Sequence, residues 1–360
     1  MINQDISKDR IIQAITEIDK NGIPTNRNST KFNLVYKDKL YPPKYVLAIA
    51  NKFVTGKELE PDEHSGGNET NQFLEKLGFE IRLGNNIKTN DRRESKKNEV
   101  HVTALIKNFG VFDNESRYLL LNEIIKIIDY NVNSITLPAG FLNFDNFGKN
   151  DLQLVERRIS KILIDNEKDI VVCFGIDVDK SIHQFGIAVS PKGILSVGRK
   201  FFPTDEEKNK IVIANSFEEK EFGYERTFNW KSKKYFLAVC YDCFGIKHKQ
   251  LPNKGIDYII NLVHEFFPHG ESGSGEVYFA KHGIAGASKQ WNCPTFASAV
   301  FVNRDVPMNW QSGIIWNKGN LSTRLWKYED NPLFSYKMEQ TEYKNEIAIL
   351  RYFEICNELN

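Results

Sequence analysis

The sequence predicts a layered α/β domain preceded by a small α+β unit, and three observations carry that reading. From Val100 onward, short apolar strand-like runs alternate with amphipathic helical ones, the pattern of a largely buried sheet covered by helices. The stretch "NNIKTNDRRESKKNE", Asn85 to Glu99, has a single isoleucine in fifteen residues and cannot bury itself, so it reads as a linker. At 360 residues and 41% apolar composition, the chain is long enough for two domains with real cores. The expected organisation is a head at 1–84, a charged linker at 85–99 and a large domain at 100–360.

In the head, Ser7 is a plausible N-cap, and Ile11, Ile12, Ile15 and Ile18 follow at helical spacing up to Asn21-Gly22. "KFNLVYKDKLYPPKYVLAIANKF" reads as two short strands around Lys37-Asp38, with Pro42-Pro43 opening a helix. "HSGGNETNQFLEKLGFEIR" gives a glycine turn, a helix from Asn68 and a last strand.

In the large domain, "HVTALIKNFG" is a strand, "SRYLLLNEIIKIIDYN" a helix, "SITLPAGF" a strand ending at Pro138, "DLQLVERRISKILIDN" a helix and "DIVVCFGID" a strand. A hairpin about Pro191-Lys192-Gly193 follows, then "YFLAVCYD" as a strand and "IDYIINLVHEFF" as a helix. Sheets of this kind place their chemistry at the carboxyl ends of strands. Pro138, Lys200 and Cys240 all sit at or just past such ends.

Composition narrows the function classes. The net charge of +1 gives no global field toward DNA or an anionic membrane, so any nucleic-acid contact is local. Five cysteines is an odd count, and Met1 to Ile11 is polar and acidic, so neither a secretory signal nor a disulfide framework is expected. No apolar run approaches the roughly 18 residues of a membrane helix. The expectation is a soluble, cytoplasmic protein in a reducing compartment, without a membrane partner.

"KKYFLAVCYDCFG", Lys233 to Gly245, puts two cysteines three apart at the end of a buried strand. A structural zinc site needs four ligands; Cys240 and Cys243 supply two, and no second Cys or His pair with ligand spacing exists. A thioredoxin-like pair would lie early in a smaller domain. Two buried small hydrophobes are the plain alternative, above all for Cys243. A nucleophile is the remaining reading: a cysteine at a strand end, followed by a turn, presents its sulfur at the sheet edge. In "GRKFFPTDEE", Lys200 ends the hairpin, where a cation near the reacting carbonyl would lower the thiol's pKa and stabilise a tetrahedral intermediate, but spacing alone does not select it from this lysine-rich chain. No metal and no cofactor are expected.

"ITLPAGF", "GIAVSPKGILSVGRKFF" and "YFLAVCYDCFG" resemble, in order and at plausible spacing, the three catalytic stretches of the nitrilase-like carbon–nitrogen hydrolases. The resemblance implies a four-layer α-β-β-α sandwich, a small amide substrate and a homo-oligomer through this domain. It assigns Cys240 as nucleophile, Lys200 as oxyanion-stabilising lysine and the backbone N–H of Tyr241 as a second oxyanion donor. Asp242 takes a structural position in that family.

One position departs. The family's general-base glutamate follows the proline, and here Pro138 is followed by Ala139. Without a base, acylation and hydrolysis each lose about two to four orders of magnitude. Three explanations stand: another carboxylate has taken over, with Glu156, Glu206 and Glu207 the nearest by family geometry; the domain is a binding pseudoenzyme; or Ala139 is an inactivating substitution.

"YPPKYVLAIANKF" and "HSGGNETNQFLEKLGFEI" resemble a small head domain at the N-terminus of McrA-type modification-dependent restriction endonucleases. By analogy this implies bacterial antiphage defence, with DNA or a defence protein bound through residues 1–99. No His-Asn-His nuclease motif accompanies it. The head carries twelve Lys/Arg and twelve Asp/Glu, not the basic excess of a dedicated DNA binder. Lys37, Lys39 and Lys44 nevertheless cluster with tyrosines, and the linker adds Arg92 and Arg93; a solvated hairpin is the plain alternative.

His101 and His264 fall in core-type segments and read as satisfied core histidines. Trp291, Trp310 and Trp316 read as packing. "EVYFAKHGIAGASKQWNCP" has a Gly and Ser density that suggests close backbone approach to a ligand or another subunit. The leading reading is a nitrilase-like amidohydrolase fused to a recruitment domain; the alternative is an inactive nitrilase-fold sensor or scaffold.

Overall fold

The computed structural model describes residues 5–24, 27, 32–36, 39–60, 68–83, 99–108, 110, 113–268, 275–316 and 322–355. The chain divides into two compact units, Met1–Ser95 and Lys96–Asn360. Among the described residues, no helix is long and apolar enough to cross a membrane.

The first unit runs α1 (Lys8–Asn21), β1 (Phe32–Tyr36), β2 (Lys39–Tyr41), α2 (Pro43–Thr55), α3 (Asn68–Lys76) and β3 (Glu80–Leu83). Ser7 caps α1 by accepting from the Arg10 N–H, and Gly22 ends it at φ 80°. The strands form an antiparallel sheet in the order β2-β1-β3. Ile11, Ala14, Ile15 and Ile18 of α1 pack with Leu34, Val46, Leu47 and Leu74, so the i, i+3, i+4 stripe of α1 is the core-facing one.

The second unit runs β4 (Glu99–Asn108), α4 (Asn114–Ile127), β5 (Val132–Thr136), β6 (Leu142–Phe144), α5 (Lys149–Asp165), β7 (Val171–Val178), β8 (His183–Ser190) and β9 (Gly193–Arg199). It continues with β10 (Thr227–Trp230), β11 (Lys233–Val239), α6 (Asp242–His248), β12 (Tyr258–Phe266), α7 (Glu276–Tyr278), a π-helical turn (Phe279–Ile284) and α8 (Ala285–Trp291). β13 (Thr295–Val302), β14 (Gly313–Ile314), β15 (Lys337–Tyr343) and β16 (Glu346–Ile355) complete it. Glu99, the last residue of the charged stretch, already belongs to β4, and β5 ends at Thr136, short of Pro138.

Strand pairing follows one path, β10-β11-β12-β13-β4-β5-β7-β8-β9, and the path doubles back on itself. A Cβ on Gly186 of β8 would lie 3.0 Å from Leu262 of β12 and 3.2 Å from Val239 of β11, so the two ends of the path pack face to face. The period of two sorts the side chains. Tyr235, Leu237 and Val239 of β11 point between the layers with Val171 and Cys173 of β7. Phe236 and Ala238 point outward to Ile246 of α6 and Ala287 and Trp291 of α8. On the opposite outer face, Val172 and Phe174 meet Leu121, Ile124, Val155 and Ile159 of α4 and α5. The result is helix, sheet, sheet, helix.

One expectation is corrected. "IDYIINLVHEFF", read as a helix, contains strand β12, parallel to both β11 and β13. A strand in the middle of a parallel sheet buries both faces and shows no alternation, and Tyr258 to Val263 are all buried. The Gly-rich segment after it is helical, and its close approach is to α6: a Cβ on Gly283 would fall 2.6 Å from the Phe244 ring.

Candidate active site

Strand–turn–helix geometry places Cys240. β11 delivers it directly after Val239, Tyr241 begins the turn, and α6 starts at Asp242. Its N–H donates to the Leu262 carbonyl at 2.7 Å, and its φ of 50° lies in the left-handed region, where a non-glycine residue is strained and which recurs at functional sites. The residue is 8% exposed.

Asp242 locks this turn to the end of β9. One carboxylate oxygen accepts from the N–H groups of Phe201 and Phe202 at 2.9 Å each. The other accepts from Val239 N–H at 2.9 Å and from Arg226 Nη1 at 2.8 Å. Both Asp242 and Arg226 are buried, so the pair is a clamp between the Lys200 and Cys240 segments. Fully buried Lys200 sends Nζ to both carboxylate oxygens of Glu207 at 2.6 Å. Glu207 also accepts from Thr204 N–H at 2.8 Å.

His264 completes the surroundings of the sulfur. It sits where β12 is irregular, with a register shift between Leu262 and Glu265, the kind of bulge that re-aims a side chain near a site. His264 lines the same cavity as Cys240 and lies close enough to bear on its thiol. His264 Nε2 lies 3.1 Å from Asp177 Oδ1 of β7.

Electrostatics follow from these contacts. Burial pushes the Cys240 thiol up, but the Lys200 ammonium and His264 outweigh it and hold its pKa below the ordinary thiol value. Burial likewise opposes the charged forms of Lys200 and His264. Cys240 and Glu207 nevertheless hold Lys200 above the usual lysine range, and Asp177 and Cys240 raise His264 to about 10. Burial also works against the Glu207 carboxylate, and Lys200 wins, so its pKa is lowered.

The sulfur opens on a cavity of about 1060 Å³, walled by Phe202, Tyr241, Phe244, His264, Phe266 and Phe279. Tyr241 stacks on Phe244 at 4.4 Å between centroids. Lys200 and Glu207 do not line this cavity.

Of the residues singled out from sequence, Cys240, Tyr241, Lys200 and Glu207 come together. Ala139 is buried in the same apolar cluster as Cys240, on a turn whose Ala139 N–H donates to Val263 O at 3.0 Å. Glu206 is exposed at the cavity rim. Glu156 lies beside Gly193, at the far end of β9 from Lys200, about 20 Å away along the strand. Cys243 is buried with Phe201, Ile246 and Cys293 toward α6 and α8. In the head, exposed Lys39 pairs with Asp19 at 3.1 Å, Lys44 is half-buried, and Lys37, Arg92 and Arg93 lie outside the described residues.

His101 donates or accepts through Nδ1 with Ser134 Oγ at 2.9 Å, and burial lowers its pKa to about 3; it is a neutral core histidine. His264, read the same way, is not: it faces the cavity and the sulfur. Its signal was a polar residue at the carboxyl end of a buried strand, as was that of Asp177 at the end of "CFGID", and reading β12 as a helix hid it.

Residues 4–83 match the family model described as ScoMcrA-like, N-terminal head domain. Comparison with curated proteins gives no match. Among solved structures, the chain is similar to a mutant of the amidase from Nesterenkonia sp. AN1 showing Michael addition of acrylamide at its active site cysteine. The TM-score is 0.42 at 11% identity, over 56% of this chain and 78% of that one. Another mutant, of the same amidase from the nitrilase superfamily, gives 0.42 at 10% identity, over 58% and 79%. A mutant in complex with butyramide gives 0.42 at 11%, over 56% and 76%.

Proposed function

We propose that the second unit is a thiol amidohydrolase acting on small amides. The Cys240 thiolate attacks the amide carbon, forming a C–S bond. The Tyr241 N–H steadies the charge developing on the carbonyl oxygen, and the buried Lys200 ammonium acts on it through its field rather than by contact. The C–N bond breaks, ammonia or an amine leaves, and water then cleaves the thioester to a carboxylic acid. One arrangement supports this reading: Cys240, at a strained strand end, lines a cavity, and the Lys200 ammonium and His264 together hold its thiol pKa down. The head is then a recruitment module for DNA or a defence protein, and bacterial antiphage defence is the setting its likeness to ScoMcrA-like heads suggests. Ammonia release from a panel of short amides tests the reading, with loss on Cys240→Ala expected.

A further inference from the structure

We propose that His264 and Asp177 carry the proton transfers that Ala139 cannot, making Cys240–His264–Asp177 the working set of this site. The inference rests on Cys240 being the nucleophile and adds what removes its protons.

Space at the turn after β5 points the same way. A Cβ on Gly175 would fall 2.4 Å from the Ala139 Cα, so the turn lies flat against β7. A Cβ on Gly140, whose φ is +59°, would fall 2.9 Å from Asp177 Oδ2 and 3.7 Å from the His264 ring. The carboxylate beside this turn therefore comes from β7, and the imidazole it holds lines the same cavity as Cys240, whose N–H is bonded two residues before His264, at Leu262 O.

Geometry removes the other carboxylates. Glu207 has both oxygens on Lys200. Asp242 is filled by three backbone N–H groups and Arg226. Asp205 and Glu206 are exposed on the cavity rim, Glu265 lines the cavity but is exposed on the residue after His264, Glu276 is paired with Arg304, and Glu156 is at the wrong end of β9. The charged groups around His264 are Asp177 of β7, Cys240 after β11, Glu207 after β9 and Glu265 of its own strand.

The steps balance. The resting pair is thiolate and imidazolium. Once the C–S bond has formed, His264 gives its proton to the departing nitrogen and becomes neutral. It then takes a proton from the water attacking the thioester, the C–S bond breaks, and thiolate and imidazolium return; amide plus water has become acid plus amine. Asp177 touches only the ring and is a positioning residue.

An activated ester, p-nitrophenyl acetate, reads the two halves separately with the full chain and intact-mass detection. Wild type should turn over with little acetyl-enzyme present. His264→Gln should still be acetylated at Cys240 but clear the acetyl group about 10²–10⁴-fold more slowly, so a stable acetyl adduct accumulates. Asp177→Asn, a milder change to the fold, should shift the pH dependence of Cys240 alkylation upward, and Asp177→Glu should partly restore it. Deacetylation of His264→Gln at the wild-type rate, with Cys240 acetylated, would overturn this inference alone. Wild type that is never acetylated at Cys240 would overturn it together with the nucleophile reading.

Discussion

Burial by itself would keep every cysteine thiol in this core protonated. It pushes Cys293 to about 12 and Cys243 well above the ordinary value. Cys240 is the exception because Lys200 and His264 face its sulfur. The sign of the pH dependence follows. The Cys240 thiolate is present from below the usual thiol pKa of about 8.5 upward, and His264 keeps its proton until about 10. At neutral pH, iodoacetamide should therefore label Cys240 before Cys173, Cys243 or Cys293, as peptide mass mapping would read. Lys200→Met should shift that labelling toward higher pH; equal labelling of all four would contradict the charge arrangement. Cys240 stands out in the sequence at the end of a buried strand, and Lys200 only through the resemblance of the stretch that carries it. His264 and Asp177 were not, since they are 87 positions apart and meet only through strand register.

At the scale of elements, punctuation decided what the sequence revealed. Ser7 and Gly22 bracket α1, and Pro191 to Gly193 turns the β8–β9 hairpin, as expected from cap and turn chemistry. β12 has no such marks and is apolar on both faces, so periodicity could not separate strand from helix. Its parallel register with β11, Val239 opposite Leu262, is what brings His264 level with Cys240. The β9 and β11 ends are joined by the Arg226–Asp242 pair at 2.8 Å, with side chains 1% and 0% exposed. Asp242→Asn would leave a buried guanidinium without its counter-charge, at a cost of about 3–5 kcal/mol. Urea unfolding should show a loss of that size, and a loss under about 1 kcal/mol would mean the clamp is dispensable.

For the whole molecule, two units of different character share one chain. The head has balanced charge and ties Lys39 to Asp19, so any duplex binding rests on a few local cations. If it binds DNA, raising salt should weaken binding, and removing charge at Lys37, Lys39 and Lys44 together should flatten the salt slope by about one unit for each phosphate left without its cation. Binding that ignores salt, or none to any duplex, would make the head a protein-recruiting module. The proposal that the second unit hydrolyses amides through Cys240 underlies all of the chemistry above, and ammonia release from short amides measures it without an intermediary. Wild type should release ammonia over many turnovers, and Cys240→Ala should release none. Ala139→Glu should gain nothing, because His264 and Asp177 already serve the site. Release by Cys240→Ala at the wild-type rate, or no release by wild type from any amide in the panel, would contradict it.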